Sequence, residues 1–298
     1  MYTISVPATS ANLGPGFDAI GIALNLYNEM DVKPASRPLY FTWEDENDRL
    51  SDEENLIYQS VRQVFASRSL PLPNAAIHVR PCRIPICRGL GSSSAAIVSG
   101  LAAACLLLGE PPDKEKIAKQ ACLIEGHPDN VIPAVYGGLS VTILQEGRPP
   151  LISQIDLPSE LRFMAVIPPY RISTEESRRA LPAKYARADC IHNAARTALL
   201  VNALYKRDYA LLRTAFEDAI HHPYRLPLMP DAARIFDLLQ QEGSLGEFIS
   251  GSGSTLIGVF TQEEGETALA KIQKSLHALD PNFTVHLLEA DQEGLVQR

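Results

Sequence analysis

Residues 85–100 read PICRGLGSSSAAIVSG, two glycines and three consecutive serines ahead of an alanine-rich apolar run. The first amides of a helix have no partner within it, and the dipole adds about half a positive charge at that end. A phosphate is held by such amides where no side chain blocks it. Gly89 and Gly91 would clear the approach, and Ser92, Ser93 and Ser94 would add hydroxyl donors. A glycine turn with a serine N-cap is the other reading these residue types allow. The position between a strand and a long apolar helix favours the phosphate. The Walker A spacing and its lysine are missing, and nothing like the HRD or DFG arrangement of protein kinases follows. A second glycine stretch, ISGSGSTLIGVF (249–260), precedes a strand. Alone it is a tight turn; paired with the first it would wall the other side of one site. A carboxylate near phosphate oxygens makes sense only with a cation between them, and Mg²⁺ accepts one or two carboxylates plus phosphates. Glu125 ends a helix beside the loop, and a solvated glutamate at a helix end is the ordinary fate of that residue type.

These residues need elements to position them. YTISVPA (2–8) alternates like a half-buried strand, and SANLGPGFDAIGIAL (10–24) reads as a loop between elements. The acidic run WEDENDRLSDEEN (43–55) reads as a solvated loop. Its Ser51-Asp52-Glu53-Glu54 fits a capping box for a helix with Leu56, Ile57, Val61, Val64 and Phe65 on one face. AIHVRP (76–81) reads as a strand feeding the serine loop. The helix expected over 94–108 stops at Gly109, with Pro111 and Pro112 blocking continuation. Asp113 can cap the next helix, with Ile117, Ala121, Cys122 and Ile124 inward and an end near Gly126. GGLSVTIL (137–144) reads as a strand. Gly147, Pro149, Pro150 and Pro158 then mark a domain boundary, dividing 1–150 from 151–298. Beyond it LRFMAVIP, STLIGVF and FTVHLLEA read as strands alternating with helices near 189–206, 208–221, 231–242 and 263–279, an α+β pattern.

The bulk composition excludes several classes. The chain has 298 residues, 46% apolar and 21% charged, as in globular proteins. Its formal net charge of −8 argues against a non-specific nucleic-acid surface or an anionic membrane surface. Five cysteines without a CxxC pair suggest reduced, mostly buried thiols in a cytoplasmic protein. The N-terminus lacks signal-peptide features, and no stretch reaches the roughly 20 apolar residues that span a bilayer.

Three segments, PATSANLGPGFDAIGIAL (7–24), PICRGLGSSSA (85–95) and SGSGSTLIGVF (250–260), resemble in order and spacing the three motifs of a small-molecule kinase superfamily. That superfamily comprises galactokinase, homoserine kinase, mevalonate kinase and phosphomevalonate kinase (GHMP). The first motif is similar to that of the homoserine kinase family, as are EGHPDN (125–130), ISTEESRRALP (172–182) and HHPYRLPLMP (221–230). The resemblance implies a two-domain α+β GHMP kinase fold, an N-terminal domain like ribosomal protein S5 domain 2 and a ferredoxin-like C-terminal domain. It also implies ATP-dependent phosphorylation of L-homoserine to O-phospho-L-homoserine, with Mg²⁺, and a homodimer.

Site roles follow from the same resemblance. Pro85, Arg88, Gly89, Leu90, Gly91, Ser92, Ser93, Ser94 and Ala95 are expected at ATP, with Ser93 and Glu125 at the metal. Arg178 and Arg225 match the positions that bind the substrate carboxylate, where a planar guanidinium suits two oxygens. Asp129 is favoured over Asp18 for the ammonium, with His127 in a structural hydrogen bond. Asn12, Asp18, Asn130 and Thr174 are expected to orient the reacting hydroxyl. Asn130 falls where related kinases carry an aspartate, so no dedicated base is expected.

Overall fold

The computed structural model describes residues 1–298. The strands are β1 (Tyr2–Ala11), β2 (Ile20–Pro38), β3 (Tyr40–Trp43), β4 (Asn74–Val79), β5 (Leu139–Ile143), β6 (Leu151–Ile155), β7 (Leu161–Ile167), β8 (Gly246–Ile249), β9 (Leu256–Thr261), β10 (Thr284–Leu288) and β11 (Val296–Gln297). The helices are α1 (Leu56–Ser67), α2 (Ser92–Leu107), α3 (Lys114–Glu125), α4 (Val131–Tyr136), α5 (Thr174–Arg179), α6 (Arg187–Lys206), α7 (Leu212–Ala215), α8 (His222–Arg225), α9 (Ala232–Gln241) and α10 (Gln262–His277).

The first sheet has seven strands along β11-β1-β2-β4-β3, with β5 on β2 and β6 on β5. The long strand β2 serves two neighbours on the same side. Its start, Ile20–Ile22, pairs with β5, and its later part, from Met30, pairs with β4. Against this sheet packs α2, apolar all round as its run of alanines, valine and leucines dictates, and buried from Ser94 to Ala104 except at Ala96. Small residues let its neighbours approach: a Cβ on Gly100 would stand 2.6 Å from the Ile57 carbonyl oxygen of α1.

The second sheet is antiparallel in the order β10-β7-β9-β8. Counted along the chain this is fourth-first-third-second, the ferredoxin-like order, with α9 and α10 packed against it. The sheets divide the chain between β6 and β7 rather than at 150. Moreover, β11 returns to pair with β1, Ile4 facing Gln297.

Several local expectations are corrected. The loop expected over 10–24 is confined to 12–19, since β1 runs through Ala11 and β2 starts at Ile20. Helix α1 is capped by Asn55, whose side chain accepts from the Ile57 and Tyr58 amides. Ser51 and Glu54 do hydrogen-bond, but within a turn ahead of it. No helix spans 208–221: Asp218 accepts from the amides of Ile220, His221 and His222, which breaks the run into short turns. Of the cysteines only Cys122 is buried, while Cys87 and Cys190 are exposed. No helix is long and apolar enough to cross a membrane.

Candidate active site

Gly91 occupies the N-cap of α2 in a left-handed conformation (φ 69°), and no side chain caps the helix. The first-turn amides of Ser92 and Ser93 therefore lie open to an anion. The glycines are needed for a reason their types did not reveal. A Cβ on Gly89 (φ +78°) would stand 2.1 Å from the Ser250 carbonyl oxygen, and one on Gly91 would stand 1.9 Å from Thr9 Oγ1. Packing against β1 and the second glycine stretch already excludes side chains there. That stretch also braces the first: Ser250 Oγ donates to the Gly89 carbonyl oxygen at 2.6 Å, and the Thr255 amide donates to the Arg88 carbonyl oxygen at 3.0 Å.

Gly89, Gly91, Ser92 and Ser93 line a polar cavity of about 100 Å³. Asn12, Asp18, Glu125, Asp129, Asn130, Thr174, Arg178 and Arg225 line the same cavity, as does Gly251, so residues from six separated segments converge. Five expected nucleotide contacts, Ala95 among them, do not face it. Leu90 and Ser94 are fully buried, as core and as the start of the buried face of α2. Pro85 lines neither this cavity nor its neighbour. Arg88 turns its guanidinium to the carbonyl oxygens of Pro168 and Pro169, tying the loop to the second sheet's domain.

At the other end of α2's first turn, Ser93 Oγ donates to Glu125 Oε2 at 2.8 Å. The α3 end that places Glu125 is set by Gly126, left-handed at φ 85°. Two oxygen donors beside open amides suit a hard divalent cation such as Mg²⁺. Four residues after Glu125, Asp129 is 2% exposed and its Oδ1 lies 2.7 Å from His127 Nδ1. Burial pulls the His127 pKa down, but the Asp129 hydrogen bond and the Asp129 and Glu125 charges outweigh it, and the net shift is upward.

The two arginines differ in their surroundings. Arg178 Nη2 and Nη1 donate to Asp18 Oδ1 and Oδ2 at 2.8 and 3.0 Å. That hydrogen bond raises its pKa, against burial. The side chains are 39% and 37% exposed, so solvent screening limits such a pair to about 1 kcal/mol. Arg225 is 2% exposed. It donates to the Gly251 carbonyl oxygen at 2.9 Å, while its Nε–H has no partner. Burial, then the Arg178 charge, lower its pKa to about 10, so it stays cationic at neutral pH. An unpartnered, buried guanidinium edge calls for an anion.

Asn12 and Asp18 do not stand free to hold a hydroxyl. Asn12 Oδ1 accepts from the Asp18 amide at 3.0 Å and its Nδ2 donates to the Gly251 carbonyl oxygen at 2.9 Å. It thereby holds a loop in which Asn12 and Asp18 have φ of 73° and 55°. Asp18 is engaged by Arg178. Asn130 Oδ1 accepts from Thr9 Oγ1 at 2.8 Å, and Thr174 sits at the start of α5, capped by Ser173.

Two groups of residues escaped the sequence reading. His221 Nε2 donates to the Gly14 carbonyl oxygen at 2.7 Å, and His222 Nε2 accepts from the Ile249 amide at 3.2 Å. With Asp218 they fix α8, and so Arg225; the doubled histidine before proline was the available signal. The second group lines an apolar cavity of about 310 Å³ that includes Trp43, Leu50, Asn55, Ile57, Val79 and Ile86. Cys87, Ser92 and Ser93 line both cavities, so the two adjoin at the α2 turn, and Ala95 faces this one. The acidic run is thus only partly a solvated loop. A tryptophan at its head and an asparagine cap at its tail were the clues.

Comparison with known proteins matches residues 55–138 to the GHMP kinases N terminal domain and residues 200–278 to the GHMP kinases C terminal domain. A homoserine kinase of Clostridium kluyveri is 43% identical over 98% of this chain and 97% of its own length. One of Clostridium novyi is 38% identical over 99% and 98%. The crystal structure of homoserine kinase from Cytophaga hutchinsonii superposes with a TM-score of 0.86 at 24% identity, covering 99% of this chain and 96% of that one.

Proposed function

We propose, on the premise that this chain belongs to the GHMP kinase family and is a homoserine kinase, a division of labour between the two cavities. The reaction transfers the terminal phosphoryl group of ATP to the side-chain hydroxyl of L-homoserine, giving O-phospho-L-homoserine and ADP. The apolar cavity takes the base and ribose of ATP, and the open amides at the start of α2 take its phosphates. Ser93 and Glu125 hold Mg²⁺, which when bound neutralises charge on the phosphate oxygens.

The polar cavity takes the amino acid. Arg178 and Arg225 receive its carboxylate, and Asp129, backed by His127, receives its ammonium. Asn130 and Thr174 are left to orient the hydroxyl, with Asn12 acting through the loop it holds. No group is placed as a dedicated base. The loose transition state of phosphoryl transfer lets positioning and charge neutralisation carry the step.

One observation carries this reading: the phosphate turn and both arginines line one cavity. An ADP-release assay with L-homoserine, L-serine and mevalonate tests it. L-homoserine should be turned over at least about a hundredfold more efficiently than either alternative. Equal turnover of mevalonate, which has no ammonium, would overturn the amino-acid assignment.

A further inference from the structure

The Arg178 fork is filled by a carboxylate of the protein itself. Asp18 meets it with both oxygens at 2.8 and 3.0 Å, the bidentate geometry an amino acid's carboxylate would adopt. The half-exposed pair is weak enough to be exchanged. Arg225, from another element, lines the same cavity with an unpartnered Nε–H.

We propose that Asp18 stands in for the substrate carboxylate on Arg178, and that the amino acid binds by exchange. Its carboxylate takes the Arg178 fork beside Arg225, and its ammonium, held by Asp129, also pairs with the Asp18 carboxylate so released. The inference rests on a zwitterionic substrate in this cavity. Asp18 is held at the site by its backbone, whose amide donates to Asn12 Oδ1, itself anchored on Gly251. The released carboxylate therefore stays by the cavity, on a wall that already carries Asp129 and Glu125.

Selectivity follows from charge matching. A zwitterion completes both new pairs. A substrate with a carboxylate alone leaves Asp18 unpaired beside two other carboxylates, and one with an ammonium alone does not open the bridge. The cavity thereby tests for both charges on one molecule.

The experiment compares L-homoserine with 4-hydroxybutanoate, its deaminated counterpart, in wild type and Asp18→Asn. Wild type should disfavour 4-hydroxybutanoate strongly. In Asp18→Asn the ratio of the two kcat/KM values should shrink by at least about tenfold, chiefly through a lower KM for 4-hydroxybutanoate. Equal loss for both substrates, with the ratio unchanged, overturns the exchange and returns Asp18 to a hydroxyl-orienting or structural role. Should that variant fail to fold, a crystal of wild type with L-homoserine decides. Separation of Arg178 from Asp18 supports the exchange, and an intact bridge overturns it. A wild type that leaves L-homoserine unphosphorylated refutes the substrate assignment itself, a result distinct from an unchanged ratio.

Discussion

Glu125 and Ser93 share a hydrogen bond beside the open α2 amides, so replacing the carboxylate removes a charge where polyphosphate and cation should meet. Glu125→Gln is expected to lower kcat/KM for ATP by roughly a hundredfold or more and to raise the Mg²⁺ concentration needed for half-maximal rate. Steady-state kinetics over a Mg²⁺ series would check this, and unchanged Mg²⁺ dependence would count against the assignment. Gly91 offers a test of packing. Gly91→Ala places a Cβ against Thr9 Oγ1 in a left-handed backbone, and a loss of about 2 kcal/mol or more should appear in denaturant melts. At His127, burial lowers the pKa while Asp129 and Glu125 together raise it further. Asp129→Asn removes the largest raising contributions, so the imidazole titration followed by NMR should shift down. The linked sign is definite. A histidine with a raised native pKa contributes stability fully present below its unfolded value near 6.5, and lost as pH rises through the native value. The arginines and carboxylates of the site were legible as types and motifs. That Asp18 is already engaged by Arg178, and Arg88 by two proline carbonyls, was not, because those partners lie about 80 residues or more away in the chain.

At the level of elements, α8 is held by groups that must remain neutral. His221 and His222 have pKa values lowered to about 3 and about 4, by burial first and then by neighbouring positive charge, with Asp218 offsetting part. The 3.8 Å approach of His221 to Asp218 is therefore not an ion pair at neutral pH. Lowered native values mean that the unfolded chain binds protons first. Stability should fall as pH drops from about 6.5 toward 4, by up to about 1.4 kcal/mol per pH unit for each histidine. Urea melts across this window would measure it, and His222→Gln should flatten the dependence; a flat wild-type profile would contradict the buried-neutral assignment. Elements whose local signals agree were readable in advance, such as α2 with its alanine-rich run and Gly109 stop, and α3 between Asp113 and Gly126. Others depend on distant partners. The apparent helix over 208–221 gives way because Asp218 captures backbone amides. Strand β2 is obscured by the glycine of its opening, which the sheet requires for close passage: a Cβ on Gly21 would stand 1.6 Å from the Asp129 carbonyl oxygen.

For the whole molecule, the seam between the two sheets runs through the phosphate turn. Ser250 and Thr255 meet Gly89 and Arg88 there, and the Arg88 guanidinium bonds two carbonyl oxygens beyond β7. Arg88→Ala should lower stability by roughly 1–3 kcal/mol through these charged-donor bonds. It should change the KM for ATP by less than about threefold, since the guanidinium faces neither cavity. A large KM effect would return Arg88 to the nucleotide. The division was legible only in part: the punctuated stretch reaches Pro158, between β6 and β7, but a cut at 150 misses that pairing carries β6 and β11 into the first sheet. That late strand has a bearing on biogenesis. Ile4 and Ser5 find their outer neighbours only at Gln297 and Val296. On the ribosome the edge of β1 therefore waits, exposed to rival strands, until nearly all of this sequence has emerged.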